Sequence, residues 1–364
     1  MERIAHSRPC LGKDERRVLE GVLKSGQLSQ GEYVRRFEAQ MAVFHGGGGA
    51  VAVSSGSAAL HLALLALGVG PGDEVIVPAY VCTALLNAVR YTGADPKIVD
   101  VDPIDGNIAV ACAARARGRR TKAMIVPHMF GRPADLRGLS GLGVPIIEDC
   151  AQAIGATGQG RRVGTWGTLG VFSFYTTKMI ATGEGGMVIA SDRRLLNRVR
   201  DLRDYDRRAT YKVRYNYKMT DMAAALGVVQ LQRLPGFLQR RRNIAAGYTR
   251  VLRNAAVRLP VDDADRPSVW FRYVVRTSSR TRVLKALADQ GIDAAAPVYK
   301  PLHRYVSAGP CPVADQWARQ AVSIPIYPAL TNRQIKDIHK ALRAVFVKKL
   351  GMLCFERYTI SRRR

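Results

Sequence analysis

A lysine, a pair of adjacent carboxylates and a hydroxyl-rich turn are the residues of this 364-residue chain whose neighbours suit them to chemistry. Lys178 closes the segment Gly170-Val171-Phe172-Ser173-Phe174-Tyr175-Thr176-Thr177-Lys178, and Thr182-Gly183-Glu184-Gly185-Gly186 follows it. An amine that is desolvated after a buried apolar run, near positive charge, has a lowered pKa and becomes a nucleophile suited to a Schiff base. A lone lysine of this kind also fits an ordinary exposed loop. Glu148 and Asp149 end the run Ile146-Ile147-Glu148-Asp149-Cys150-Ala151-Gln152. Ionised groups are costly there unless paired. One of the two meets a cation in the crevice at the strand's carboxyl end, or it caps the next helix. In Ser54-Ser55-Gly56-Ser57-Ala58-Ala59 a strand gives way to a helix, so free N–H groups and hydroxyls converge on one spot and favour an anion. A single serine cap would explain the same residues. His128, in Val126-Pro127-His128-Met129-Phe130-Gly131, either reaches substrate or is a satisfied polar group at a strand end.

The elements that must position these groups alternate. Helical spacing marks Asp14 to Ser25 and Tyr33 to Phe44, and the glycine run Gly46 to Gly49 ends the second. That run precedes its strand, whereas phosphate loops follow one, so it reads as a flexible turn. Ala50 to Ser54, Glu74 to Val77, Ala123 to Pro127, Val144 to Glu148 and Leu169 to Phe174 read as strands, with a buried helix over Ala58 to Leu67. They are apolar without strict alternation, as expected of a parallel sheet covered on both faces. The character changes near Pro235, where a long basic helix is expected over Leu238 to Arg253. A strand over Val269 to Thr277 and helices over Arg280 to Gln290 and Asn332 to Val347 follow. The expected fold is α/β, with a mostly parallel large domain over 1–235 and a smaller α+β domain over 236–364.

Composition excludes several classes. At 47% hydrophobic and 23% charged residues the chain is ordinary globular protein. No apolar run reaches membrane-span length, and the first residues lack a signal peptide's apolar core, which leads us to expect a cytoplasmic protein. Six scattered cysteines, with no C-x-x-C pair, support neither a zinc site nor a disulfide framework. The net charge of +27 would suit nucleic-acid binding, but the basic residues are spread along the chain, with short runs at Arg240 to Arg242 and Arg362 to Arg364. A solvated arginine-rich surface is the preferred account, and it could draw in an anionic substrate.

Taken in order, these segments resemble the sugar aminotransferases of the DegT/DnrJ/EryC1/StrS family, from about Ile4 to Leu342. The likeness is carried by Ser25-Gly26 with Gln30-Gly31, Ser55 to Leu60, Gly72 to Pro78, Glu148 to Gln152, Ser173 to Lys178 with Gly183 to Gly186, and Tyr215 to Asp221. Lys300-Pro301-Leu302-His303 and Ile324 to Pro328 complete it. The resemblance implies a fold-type-I pyridoxal-phosphate enzyme, normally a homodimer with shared active sites. It implies that Lys178 carries pyridoxal 5'-phosphate as an internal aldimine and moves the proton between substrate carbon and coenzyme. Asp149 would pair with the pyridinium nitrogen and Gln152 approach the ring oxygen. Gly56, Ser57, the Ala58 backbone and Ser173 would hold the phosphate, Asn216 would reach it from the partner subunit, and Cys82 would lie over the ring. Tyr299 and His303 fall on the sugar side. The acceptor is a keto-sugar, expected to be nucleotide-linked, and the donor is expected to be glutamate.

Four positions depart from the family's pattern. Ser57 stands for Thr, Cys82 for a stacking aromatic with Tyr80 nearby, and Arg214 and Lys218 for Gly and Arg. A sugar dehydratase of the same family would need histidine at position 178, and a DNA-binding regulator on the same fold would be expected to have lost its site residues.

Overall fold

The computed structural model describes residues 3–347. Arg362 to Arg364 and Cys354 lie outside the described residues. Eleven strands follow in chain order: β1 Gly49–Val53, β2 Glu74–Pro78, β3 Asp95–Val99, β4 Thr121–Pro127, β5 Ile146–Asp149, the short hairpin β6 Thr157–Gly158 and β7 Arg161–Arg162, β8 Leu169–Ser173, β9 Gly186–Ala190, β10 Tyr273–Arg276 and β11 Ala321–Ile324. Seven of them form one sheet in the order β1-β9-β8-β5-β4-β2-β3. Only β9 runs antiparallel to its neighbours.

Strand periodicity sends successive side chains to opposite faces, and both faces are covered. Val51, Val53, Leu169, Val171 and Val188 enter the core beneath helix Gly56–Ala66. Ala50, Ala52, Phe172, Met187 and Ile189 enter the other, against helices Glu32–Phe44 and Asp221–Leu252. This double burial is why the strands read as continuous apolar runs. β3 was not visible as a strand because it is an edge, where Asp95, Pro96 and Lys97 are tolerated.

The long helix corrects its expected start at Leu238. It spans Asp221–Leu252, with Pro235 inside it and Thr220 as the cap accepting the Ala223 N–H at 3.2 Å. Its first half (Val228, Leu231, Leu234) packs on the large sheet, and its second half (Ile244, Tyr248, Leu252) packs on a separate core around antiparallel β10 and β11. Ile4 belongs to that second core. Helix Asn332–Leu342 ends short of the expected Val347, the chain passing into a wider turn over Arg343–Val347.

Asp221 locks the two helices together. Its buried carboxylate accepts the N–H groups of Gly31, Tyr33 and Val34 at 2.8, 3.2 and 3.0 Å, at the positive end of helix Glu32–Phe44. Asp221→Ala strands these donors. It is expected to lower unfolding free energy by about 2–4 kcal/mol in chemical denaturation, and unchanged stability would contradict the clamp.

Candidate active site

The carboxyl ends of the parallel strands gather the reactive groups, as open α/β sheets do. β5 ends in the two carboxylates, and the fold separates their roles. Glu148 is fully buried and accepts the backbone N–H groups of Gly164, Trp166 and Gly167 at 2.6 to 2.7 Å. His128 lies 3.1 Å from the same carboxylate through Nε2 and accepts the Ala134 N–H through Nδ1. The fold therefore places His128 fully inside the protein with both nitrogens engaged, which favours the satisfied polar group at a strand end over the substrate contact. Cys150 lies close to both, but its thiol is pushed up by burial and bonds to the Glu148 carbonyl. Every polar atom of this trio already has a protein partner, so the cluster is a strut.

Asp149 is the reverse case. Its carboxylate accepts one backbone N–H, that of Ala151, at 3.0 Å. Burial pushes the carboxyl above its ordinary value, against the pull of that N–H, of Lys178 and of His128. The turn after β8 brings Lys178 to the same place. Phe174 donates to the Gly185 carbonyl and Thr182 to the Phe174 carbonyl, while buried Met179, Ile180 and Ala181 anchor the loop beneath. Lys178 Nζ lies 5.4 Å from the Phe271 ring centre. Burial lowers its amine below the ordinary 10.5, aided by Arg272 and opposed by Asp149 and Cys82. A nucleophilic amine thus faces an acid that the fold leaves short of hydrogen bonds.

An anion cradle sits beside them. Ser55 caps helix Gly56–Ala66, and its Oγ takes the Ala58 N–H at 3.1 Å. That bond occupies the Ala58 N–H, while the N–H groups nearer the helix start, at Gly56 and Ser57, remain to face an anion. A Cβ on Gly56 would come within 2.7 Å of Ser173 Cβ, so only glycine lets the helix start approach the β8 serine. Gly186 serves the same closeness, since a Cβ there would collide with the Ser55 carbonyl. Two hydroxyls and a positive helix end therefore converge where a phosphate would sit. Gln152 accepts the Phe130 N–H through Oε1 at 2.9 Å, which turns its NH2 end elsewhere.

Of the other expected residues, Cys82 stays with Asp149 and Lys178. It is solvent-accessible yet close enough to feel the charges of Asp149 and Lys178, its thiol pushed up by desolvation and then by Asp149. Tyr80 is fully buried against Phe130 and Trp317, so its ring is unavailable for stacking. Asn216 is exposed, and Tyr299 is 92% exposed. His303 is turned onto Asp315 at 3.1 Å. Arg214 pairs with Asp201, and Lys218 with Asp204 and Asp206.

Sequence reasoning missed Phe271 and Arg272, which read as ordinary strand residues in Val269 to Thr277. The structure holds them by a backbone clasp. Arg272 donates its N–H to the Phe130 carbonyl and Val269 to that of Gly131, while buried Arg241 donates to the carbonyls of Trp270 and Phe271. Phe130 and Trp270 adopt left-handed backbone angles, φ 62° and 57°. Strain of this kind persists only where surroundings enforce it, commonly at functional sites. The signal available in sequence was the adjacent Trp-Phe-Arg-Tyr, too short to interpret alone.

A buried acid facing an amine with a lowered pKa, next to a hydroxyl-lined helix start, fits the pyridine, aldehyde and phosphate of pyridoxal phosphate and defines an enzyme of that class. The model of the DegT/DnrJ/EryC1/StrS aminotransferase family matches residues 9–343. A GDP-perosamine synthase of Escherichia coli O157:H7 is 33% identical, covering 96% of this chain and all of the relative. A pleiotropic regulatory protein of Geobacillus stearothermophilus is 36% identical over 87% of this chain and 90% of its own length. The solved structure of S. venezuelae DesV in complex with a ketimine intermediate superposes with a TM-score of 0.87 at 35% identity, covering 91% of this chain and 93% of that one. The chain belongs to the DegT/DnrJ/EryC1/StrS aminotransferase family. It is a pyridoxal-phosphate-dependent aminotransferase.

The charge arrangement sets a pH dependence. Only the unprotonated Lys178 amine attacks an aldehyde, so modification by free pyridoxal should titrate with a midpoint below the ordinary lysine value of 10.5. Asp149→Asn removes an anion that retains the proton, and the midpoint should fall further. A midpoint that rises in this variant would contradict the arrangement.

Proposed function

We propose that this aminotransferase takes an amino group from glutamate and delivers it to a nucleotide-linked keto-sugar. The observation that carries the reading is the placement of Asp149, buried and short of partners, opposite Lys178. Bound pyridoxal phosphate supplies an electrophilic aldehyde and an electron sink. The remaining work falls to the chain. The Asp149 carboxylate, destabilised by burial, holds a proton on the pyridine nitrogen opposite it. Lys178 Nζ would be the base that takes the proton from the amine-bearing carbon of the donor and passes it to the coenzyme, and the reverse transfer would put a proton on the acceptor's carbon. Gly56, Ser57 and Ser173 would hold the phosphate, Gln152 would offer its amide to the ring oxygen, and Cys82 would lie against the ring without stacking. Asn216, exposed in the single chain, would complete the phosphate site from a second copy, giving a homodimer with shared sites. His303 and Tyr299 lie toward the sugar, with His303 held by Asp315.

The nucleotide carrier is supported by the relative named GDP-perosamine synthase. A division near position 235, with the coenzyme on the larger part, agrees with the change of core along helix Asp221–Leu252. We place the reaction in the cytoplasm; no described helix is long and apolar enough to cross a membrane. A dehydratase is disfavoured because position 178 is lysine, and a purely regulatory role because Asp149, Gln152, Ser173 and Lys178 are all retained.

Glutamate added to the coenzyme-loaded protein should bleach its visible absorption band, and a nucleotide-linked keto-sugar should restore it. Lys178→Ala should stay folded by circular dichroism yet lose roughly 10²–10⁴-fold or more in turnover. Near-normal turnover in that variant would reject the assignment.

A further inference from the structure

Arg272 carries a charge that the fold does not neutralise. Its Nη1 faces His6, 3.2 Å from Nδ1 and 3.4 Å from Nε2. His6 also meets Ser323 Oγ at 2.9 Å. Burial, with Arg272 next, pulls the His6 imidazole down to about 3, so it is neutral near pH 7 and can present a lone pair to the guanidinium. Among the described residues no carboxylate pairs with Arg272, and burial alone lowers its guanidinium to about 10. Other inward-facing arginines are spent: Arg132 pairs with Asp105 and Asp263, and Arg203 with Glu38. Arg241 and Arg276 also lack a paired carboxylate among the described residues, but Arg241 is buried against the carbonyls of Trp270, Phe271 and Ile326, and Arg276 against the Trp317 ring. A half-buried guanidinium held by a neutral imidazole retains donors and charge for an anion.

Its position limits which anion. The Arg272 guanidinium carbon lies 4.8 Å from the centre of the Phe271 ring, the ring that Lys178 Nζ also approaches. The two cations share that ring and feel each other's charge. The donor's carboxylates are joined to its amine-bearing carbon directly or through two methylenes, so one of them stays close to the carbon that Lys178 serves. A nucleotide-linked sugar instead keeps its diphosphate a whole ring away from the carbon to be aminated. Arg214 and Lys218 cannot serve without breaking their pairs, since they are held by Asp201, Asp204 and Asp206.

We propose that Arg272 receives a carboxylate of the amino donor, with His6 as the positioning residue that holds its guanidinium toward Lys178. This deepens, and rests on, the aminotransferase reading above. The backbone clasp between Phe130-Gly131 and Val269 to Arg272 then has a purpose: it fixes the carboxylate receptor relative to the Gln152 end of the coenzyme site.

The test is calorimetric titration of the coenzyme-loaded protein with glutarate, a non-reacting dicarboxylate, and with neutral glutaramide. Arg272→Gln should weaken glutarate roughly 10- to 100-fold, Arg272→Lys should fall between it and the parent, and glutaramide should respond to neither. Retention of the visible coenzyme band shows that the variants keep the site. Glutarate affinity within twofold of the parent in Arg272→Gln would overturn the proposal. So would an equal loss for glutaramide, or a loss that falls on uridine diphosphate instead. Glutamate bleaching of the same samples judges the donor separately. A parent protein that binds glutarate through Arg272 but is not bleached by glutamate would reject glutamate as donor and leave the carboxylate site standing.

Discussion

Two groups of opposite charge, each pushed toward its neutral form by burial and each pulled back by the other, are what the rest of this structure is arranged around. Asp149 lies at the end of β5 with a single backbone donor, and Lys178 lies in the loop after β8. Left alone, a buried carboxylate and a buried amine are poor solutions to folding. They make sense as halves of a site completed by a cationic heterocycle with an aldehyde, and the parallel sheet is what brings the two chain segments side by side.

The neighbouring polar groups are spent so that these two are not. Glu148 sits one residue from Asp149 and is occupied by three backbone N–H groups and His128. That commitment ties the loop Gly164 to Gly167 to the strand and fixes where β5 ends. Arg241 does similar work from the long helix, donating to the carbonyls of Trp270, Phe271 and Ile326. It thereby holds Phe271 and Arg272 at the edge of the cleft. Two residues in left-handed conformation, Phe130 and Trp270, meet across this junction, at a cost of order 1–3 kcal/mol each. The site is therefore built from interactions that are saturated at its back and unsaturated at its front.

Much of this was legible in the chain. The apolar runs Val144 to Glu148 and Leu169 to Phe174 marked doubly covered strands because both sheet faces are buried, and the serine-rich helix start was visible as local chemistry. The division of labour between Glu148 and Asp149 was not, because adjacent strand residues point to opposite sides and sequence does not say which side holds the cleft. His128 looked as available as any histidine after a strand; only the pairing of β4 with β5 puts it beneath Glu148. β3 was hidden by its edge position, and the start of helix Asp221–Leu252 by Pro235. Arg272 escaped notice because its significance lies in a missing partner, a property of three-dimensional surroundings alone.

The central claim is that one amine, Lys178, is the attachment point of the coenzyme. Reduction of the pyridoxal-phosphate-loaded protein with borohydride, followed by proteolysis and mass spectrometry, tests it directly. The account predicts a single phosphopyridoxyl group per chain, on the peptide containing Lys178. Label spread over surface lysines with Lys178 unmodified would contradict it.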